Sequence, residues 1–200
     1  MKAKIRISVL VSGGGTNLQS LIDNINNGSL PQAEIVQVVS SSKDAFALER
    51  AKEAGIKGVV VSKSDFPEAD ELAQKLICVL EEANTDLVVL AGYMSVIHPD
   101  VIRKYQNQII NIHPSLIPKY SGKGFYGMRV HKAVIEAGEK VSGATVHFVD
   151  AGIDTGEIIL QREVPVKEGD NESTLAARVL ELEHIILSEA IRMICESKNS

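Results

Sequence analysis

Two polar residues that could stabilise an oxyanion and transfer a proton stand two positions apart at the end of a predicted strand. The strand covers residues 108–112 and leads into a loop rich in Gly, Pro and Lys. Alternation along a strand puts Asn111 and His113 on the same side. The Asn111 amide is a neutral donor of the kind that stabilises an oxyanion, and His113 can move a proton near pH 7. The alternative interpretation is a core Asn and His satisfied by backbone groups.

A second candidate segment, residues 150–156, contains two aspartates and two glycines between two predicted strands. These residue types are common in ordinary turns. A carboxylate can also hold a histidine in its charged form or exchange a proton with it. Asp154 is the better catalytic candidate, because it lies between the apolar Ile153 and a glycine. His147, in the preceding strand, is either a structural or supporting residue or a direct participant. Ser115, beside the Asn–His pair, is a candidate supporting residue.

A glycine-rich turn joins the first predicted strand to the first predicted helix. It consists of Ser12, Gly13, Gly14, Gly15, Thr16 and Asn17. Glycines allow close approach of a ligand, and a helix N-terminus offers free N–H groups to an anion such as phosphate. Leu18 occupies the position of the last glycine in a dinucleotide fingerprint, and no Walker motif is present. The turn therefore favours a monophosphate, unless it only packs strand against helix.

The charge of the chain is unevenly distributed. The 200 residues include 21 basic and 26 acidic residues, a net charge of −5, which argues against a nucleic-acid binder. Residues 101–135 contain six basic and no acidic residues, so the remainder has 15 basic and 26 acidic residues. This segment, which contains Asn111 and His113, is either a positive field for an anionic substrate or a solvated basic surface.

Strand and helix patterns alternate along the chain and predict an α/β fold. Seven strands are expected near residues 5–11, 34–40, 57–62, 86–91, 108–112, 141–149 and 157–166. The alternation predicts a doubly wound, mostly parallel sheet flanked by helices, with a Rossmann-like N-terminal half. The last two strands are too close in sequence for a crossover helix, so they pair antiparallel or splay around a loop. We expect one domain, 1–200, with halves at about 1–105 and 106–200.

The cysteines and the hydropathy indicate the cellular compartment of the protein. Cys78 and Cys195 both lie among apolar residues, which predicts buried free thiols in a reducing compartment. No stretch reaches the ~18 apolar residues that span a bilayer. We therefore expect a cytoplasmic protein with no membrane and no nucleic-acid partner, as a monomer or homodimer.

Several segments together resemble the phosphoribosylglycinamide formyltransferases, a family of folate-dependent enzymes of purine synthesis. The matching segments are residues 12–19, 90–94, 111–120 and 153–156. The resemblance extends from near residue 4 into the last helix. It implies the formyltransferase fold and transfer of a formyl group from 10-formyltetrahydrofolate, the cosubstrate, to the amine of glycinamide ribonucleotide. The implied reaction needs no metal.

The resemblance also implies roles for individual residues. Asn111 would donate to the oxyanion, and His113 with Asp154 would form a proton shuttle. The nucleotide would bind at residues 12–17, with Glu183 near its glycinamide end. The pterin would lie along Met94, Ser95, Val96 and Ile97, with Asn111, Asp150 and Asp154 also contacting the folate.

The chain departs from the family pattern at two places. Residues 121–128 form a longer segment than the family's compact form, and Ser95 stands where some relatives carry a basic residue. The folate glutamate tail would then depend on basic residues elsewhere.

Other enzymes share the Asn–His–Asp set and remain alternatives. Methionyl-tRNA formyltransferase adds a C-terminal domain and formyltetrahydrofolate hydrolase an N-terminal one; neither is expected here, and a nucleotide-sugar formyltransferase would be longer. A non-catalytic dinucleotide-binding module is a further alternative. Leu18 and three serines at positions 40–42, where a ribose-binding acid would stand, argue against it.

Overall fold

The computed structural model describes residues 4–198, in which strands and helices alternate. The strands are β1 (Ile5–Val11), β2 (Ala33–Ser40), β3 (Gly58–Val60), β4 (Leu87–Leu90), β5 (Ile109–His113), β6 (Val141–Phe148) and β7 (Ile158–Pro165). The helices are α1 (Thr16–Asn26), α2 (Ala47–Glu53), α3 (Ala69–Glu82), α4 (Pro99–Lys104), α5 (Met128–Glu136) and α6 (Glu172–Ser197). The ends of the predicted domain, residues 1–3 and 199–200, lie outside the described residues.

The seven strands form a sheet in the order β3-β2-β1-β4-β5-β6-β7. β1 pairs in parallel with β2 and β4, and β2 pairs in parallel with β3. β6 and β7 are antiparallel, because the connection between them is too short for a crossover helix. The predicted α/β class and strand number are confirmed.

The chain is divided into two compact units. The first comprises residues up to Ile110 and from Arg192 onward, and the second comprises Asn111–Ile191. In the first unit, β4 is buried at every position, as expected for a parallel strand covered on both faces. In the second unit, the buried apolar residues include Val130 of α5 and Leu175 of α6.

The start of the third helix differs from the prediction. The sequence pattern places Pro67 at the first helical position, but α3 begins at Ala69 and Glu68 is extended. Asp70 and Glu71 occupy the first turn, where negative charge interacts favourably with the helix dipole. The acidic pair therefore marks this helix start better than the proline does.

The two cysteines differ in burial, so one of the two predictions is wrong. Both thiols are free, and Cys195 is buried as predicted. Cys78 is exposed and lies 3.2 Å from the Glu82 carboxylate, to which its thiol donates. Cys78 lies two residues from both Leu76 and Leu80, which are buried, and two positions on a helix point to opposite faces. No helix within residues 4–198 has the length and apolar character needed to cross a membrane.

The β1–α1 turn packs closely against α2. Gly15 has φ +71°, in the left-handed region, and a Cβ added to it would stand 2.6 Å from Ala47 Cβ. The Ala47 amide donates to the Gly13 carbonyl at 3.0 Å. A Cβ added at Gly14 would meet no atom within 4 Å. Of these two glycines, only Gly15 is required by the packing of the turn.

We expect Gly15→Ala to destabilise the protein by about 1–3 kcal/mol, because it combines a left-handed backbone with a steric clash. Gly14→Ala should leave stability unchanged or slightly raised, because alanine restricts the unfolded chain. Urea unfolding midpoints of the two variants measure the difference. Equal destabilisation by both would show that the packing against Ala47 does not set the requirement.

Candidate active site

The Asp154 carboxylate joins the two residues of the Asn–His pair. Its Oδ1 lies 3.5 Å from Asn111 Nδ2, and its Oδ2 lies 3.5 Å from His113 Nδ1. Gly122 donates its amide N–H to Oδ2 at 3.0 Å. His113 is buried and Asp154 nearly so. The structure therefore brings the three predicted catalytic residues together within the second unit.

The tautomer of His113 follows from its second contact. His113 Nε2 lies 2.9 Å from the carbonyl oxygen of Tyr120, which can only accept, so Nε2 carries a proton. In the neutral imidazole, Nδ1 then presents a lone pair to the Asp154 carboxylate. A second proton on Nδ1 makes that contact attractive. The arrangement can therefore hold a proton between His113 Nδ1 and Asp154.

Burial and charge act in opposite directions on this pair. Burial lowers the pKa of His113, while the Asp154 carboxylate and the Tyr120 carbonyl raise it; the net shift is downward. Burial alone would raise the pKa of Asp154, but the imidazoles of His147 and His113 and the Gly122 amide more than offset it, so this pKa is lowered. Asp154 is therefore ionised near neutral pH, and its charge is the main aid to protonation of His113.

His147 orients the amide of Asn111. His147 Nδ1 donates to the Phe148 carbonyl at 2.8 Å, which leaves Nε2 as the acceptor in the neutral ring. Asn111 Nδ2 donates to that Nε2 at 3.2 Å, and this fixes which end of the amide is the nitrogen. His147 thus contacts Asn111 directly. Among residues 4–198, no group of three or more His, Cys, Asp or Glu side chains could hold a metal ion.

A polar network that includes the buried Ser115 and Thr145 supports the Tyr120 carbonyl. Ser115 Oγ lies 2.7 Å from the Lys119 carbonyl oxygen and 3.2 Å from that of Tyr120, and can donate to either. Thr145 donates its hydroxyl to the Ser115 carbonyl at 2.6 Å, and Gln161 donates to that hydroxyl at 2.8 Å. Sequence reasoning missed Thr145 and Gln161. Alternation from His147 places Thr145 on the same face of β6 and was the available signal.

Both loops that contact His113 contain a non-glycine residue with positive φ. Tyr120 has φ +53° and Asp154 has φ +56°. Such conformations are uncommon for non-glycine residues and concentrate at functional sites. Gly156 is also required here, because an added Cβ would collide with the Phe148 carbonyl oxygen. The sequence did not reveal the backbone groups of Tyr120 and Gly122, because it does not show where a loop turns its peptides.

The glycine-rich turn lies in the first unit, at the N-terminus of α1. Among residues 4–198, no amide N–H of residues 13–16 has an acceptor. Asn17 is buried, at the first turn of α1. The Ser12 hydroxyl accepts from the Met94 amide at 2.8 Å and lies 2.6 Å from the Ser41 hydroxyl. This side chain connects the turn to the segment after β4.

The remaining predicted site residues have varied surroundings. In the first unit, Met94 and Val96 are exposed, Ser95 is half-buried and Ile97 is buried. In the second unit, Glu183 is buried on α6.

Asp150 belongs to a turn of the loop before β7. It accepts the Gly152 amide at 2.9 Å and the Thr155 hydroxyl at 2.6 Å. Asp150 is exposed and fixes this turn, whereas Asp154 contacts the Asn–His pair.

The basic segment 101–135 is less positive than its residue count suggests. Four of its six basic side chains form ion pairs with carboxylates: Arg103 with Asp100, Lys104 with Glu81, Lys119 with Glu139 and Lys132 with Glu136. Arg129 lies over the Tyr126 ring at 4.8 Å. Within the described part of the chain, only Arg129 and Lys123 of the six have no carboxylate partner.

Comparison with known proteins identifies the family. A formyl transferase family model matches residues 5–191. The chain belongs to the formyl transferase family.

Individual formyl transferases and their structures are similar over nearly the whole chain. Phosphoribosylglycinamide formyltransferase of Haemophilus influenzae is 39% identical, covering 96% of this chain and 88% of that protein. Glycinamide ribonucleotide transformylase 1 of Symbiobacterium toebii superimposes with a TM-score of 0.91 at 41% identity, covering 97% and 89% of the two chains. The trifunctional purine biosynthetic protein adenosine-3 of Drosophila pseudoobscura pseudoobscura is 42% identical over 96% of this chain, which spans 14% of that protein's length.

In this formyl transferase, Asp154→Asn is expected to lower the pKa of His113, because the carboxylate charge that favours the imidazolium is removed. An NMR titration of the His113 ring measures the shift. Asp150→Asn is the matched control, since Asp150 is exposed and its amide oxygen can still accept from Gly152 and Thr155; it should leave the His113 titration unchanged. A larger shift from Asp150→Asn than from Asp154→Asn would show that Asp154 is not the main electrostatic partner of His113.

Proposed function

We propose that this chain transfers the formyl group of 10-formyltetrahydrofolate to the amine of 5′-phosphoribosylglycinamide in purine biosynthesis. The observation that carries the proposal is the Asp154 carboxylate facing both His113 and Asn111 at 3.5 Å. Family membership and the names of the relatives support it.

The reaction sets three tasks for the chain: accepting a proton from the attacking amine, stabilising an oxyanion, and protonating the leaving nitrogen. Asn111 donates its amide N–H to the developing oxyanion, exchanging its long contact with Asp154 for a shorter one to the substrate. His113 and Asp154 hold the proton that is moved. His147 keeps the Asn111 nitrogen, rather than its oxygen, directed to the site.

The nucleotide phosphate binds at the β1–α1 turn in this proposal. Its support is the set of amides at residues 13–16 that donate to no acceptor in the described chain. Ser12, Gly13, Gly14, Gly15, Thr16 and Asn17 form this site. Glu183 contacts the glycinamide end and provides a charge for the amine.

The cosubstrate supplies the formyl group. Its neutral carbonyl oxygen accepts hydrogen bonds, and the chain's residues can provide the donors. The donor set consists of one amide and one imidazole beside a carboxylate. Met94, Ser95, Val96 and Ile97 form the surface for the pterin; the exposed Met94 and Val96 supply apolar area. Asn111, Asp150 and Asp154 complete the folate contacts, and Ser115 supports the loop that contacts His113.

The proposal also covers the location, partners and oligomeric state of the enzyme. The chain acts as a single formyltransferase domain in the cytoplasm, where its two free thiols suit a reducing environment. Its partners are two small anionic molecules, without nucleic acid or membrane. It works as a monomer or homodimer and needs no metal.

The direct test mixes the purified chain with 10-formyltetrahydrofolate and glycinamide ribonucleotide and follows deformylation of the folate by absorbance. We expect deformylation to require the nucleotide and to yield one formylated nucleotide per folate consumed. Omission of the nucleotide is the control. An equal rate without it would identify a hydrolase and contradict the proposal.

Asn111→Ala should lower kcat by about 10²–10³-fold, because removal of one oxyanion donor has that effect in acyl transfer. The KM for glycinamide ribonucleotide should change little. Asn26→Ala is a suitable control, since Asn26 is an exposed residue at the C-terminal end of α1. A variant that keeps more than about a tenth of wild-type kcat would exclude Asn111 as the principal oxyanion donor.

A further inference from the structure

We propose that Arg50, on α2, is a positioning residue for the phosphate site: it orients the Gly14–Gly15 peptide so that its N–H is presented to the anion. Arg50 Nε donates to the Gly14 carbonyl oxygen at 2.8 Å. The inference rests on the proposed function, in which the β1–α1 turn binds the nucleotide phosphate. The inference adds Arg50 to this site, although Arg50 lies outside the turn and is not part of the glycine-rich pattern.

Two consecutive carbonyls of the turn are directed to α2. The Gly13 carbonyl accepts the Ala47 amide at 3.0 Å, and the next carbonyl, that of Gly14, accepts from Arg50. In a planar trans peptide, the C=O and the following N–H point in opposite directions. The N–H groups of Gly14 and Gly15 are therefore directed away from α2.

Successive N–H groups on one side of a turn form an anion-binding concavity, and here they adjoin the N-terminus of α1. A carbonyl turned to that side would repel a phosphate. Backbone contact with Ala47 fixes the first peptide. The second peptide, Gly14–Gly15, is held by the Arg50 side chain.

Besides its bond to Gly14, the Arg50 side chain is held in place by two contacts. Its Nη1 donates to Gln19 Oε1 at 3.0 Å. Gln19 Nε2 donates to Asp23 Oδ1 at 2.9 Å, and this fixes which end of the Gln19 amide faces Arg50. The guanidinium lies 5.0 Å from the centre of the Phe46 ring. A lysine could donate to the Gly14 carbonyl but could not reproduce the fork that also reaches Gln19.

The charge of Arg50 is not neutralised by a carboxylate within the described residues. Cation–π contact and hydrogen bonds to neutral oxygens hold the guanidinium without cancelling its charge. Arg50 thus adds a positive charge beside the turn as well as orienting a peptide. Lys52, two residues further on α2, is exposed and pairs with Glu49 at 3.7 Å.

The test compares Arg50→Gln with Lys52→Gln, which remove the same charge from the same helix. We expect Arg50→Gln to raise the KM for glycinamide ribonucleotide about ten-fold, the usual effect of losing one hydrogen bond to a charged group. The kcat and the KM for 10-formyltetrahydrofolate should stay within about two-fold of wild type, as should all three constants of Lys52→Gln. Arg50→Lys should recover part of the loss.

Calorimetric titration with inorganic phosphate provides a readout that does not depend on catalysis. We expect Arg50→Gln to weaken phosphate binding by the same factor as it raises the nucleotide KM, with Lys52→Gln unchanged. If the two variants behave alike, or if Arg50→Gln lowers kcat and raises both KM values with a lower urea midpoint, Arg50 has no such role. A wild-type chain that binds phosphate in an Arg50-dependent way but does not formylate the nucleotide would contradict the proposed function and leave this inference standing.

Discussion

The contact between the Asp154 carboxylate and the His113 imidazole is the interaction on which the arrangement of the second unit depends. Burial disfavours the charged form of both groups; the carboxylate partly offsets this cost for His113, and the imidazoles of His147 and His113 offset it for Asp154. The same carboxylate accepts the Gly122 amide at 3.0 Å, so it also joins the loop after β5 to the loop before β7. An aspartate tolerates the left-handed backbone at this position better than a bulkier residue would. Geometry and charge therefore require the same residue type.

In each unit, a side chain from a neighbouring element fixes the direction of a loop peptide. In the second unit, the network from Gln161 through Thr145 to Ser115 holds the loop whose Tyr120 carbonyl accepts from His113. In the first unit, Arg50 holds the Gly14 carbonyl. A loop peptide without such a partner could rotate and exchange a donor for an acceptor. The conformational specificity of both sites thus depends on residues that would not touch a substrate.

The alternation of strands and helices was predictable because apolar periodicity is local, and all seven strands follow it. The grouping of Asn111, His113 and Asp154 followed from residue types and from the family resemblance. The roles of Tyr120 and Gly122 could not be predicted, since they act through backbone atoms that every residue possesses. The exposure of Cys78 was mispredicted because the prediction used its apolar neighbours in sequence and not the helix face on which it lies. The start of α3 was mispredicted because the prediction relied on a proline and not on the acidic first turn.

The basic segment 101–135 shows why residue counts overestimate a local field. Asp100 lies just before the window, Glu136 and Glu139 lie just after it, and each pairs with a basic residue inside. The charges that remain uncompensated are better guides to anion binding. Arg50 and Arg129 both lie over an aromatic ring, at 5.0 and 4.8 Å, and neither has a carboxylate partner within residues 4–198. An aromatic ring restricts a guanidinium without neutralising it, so such an arginine keeps its full charge for a ligand.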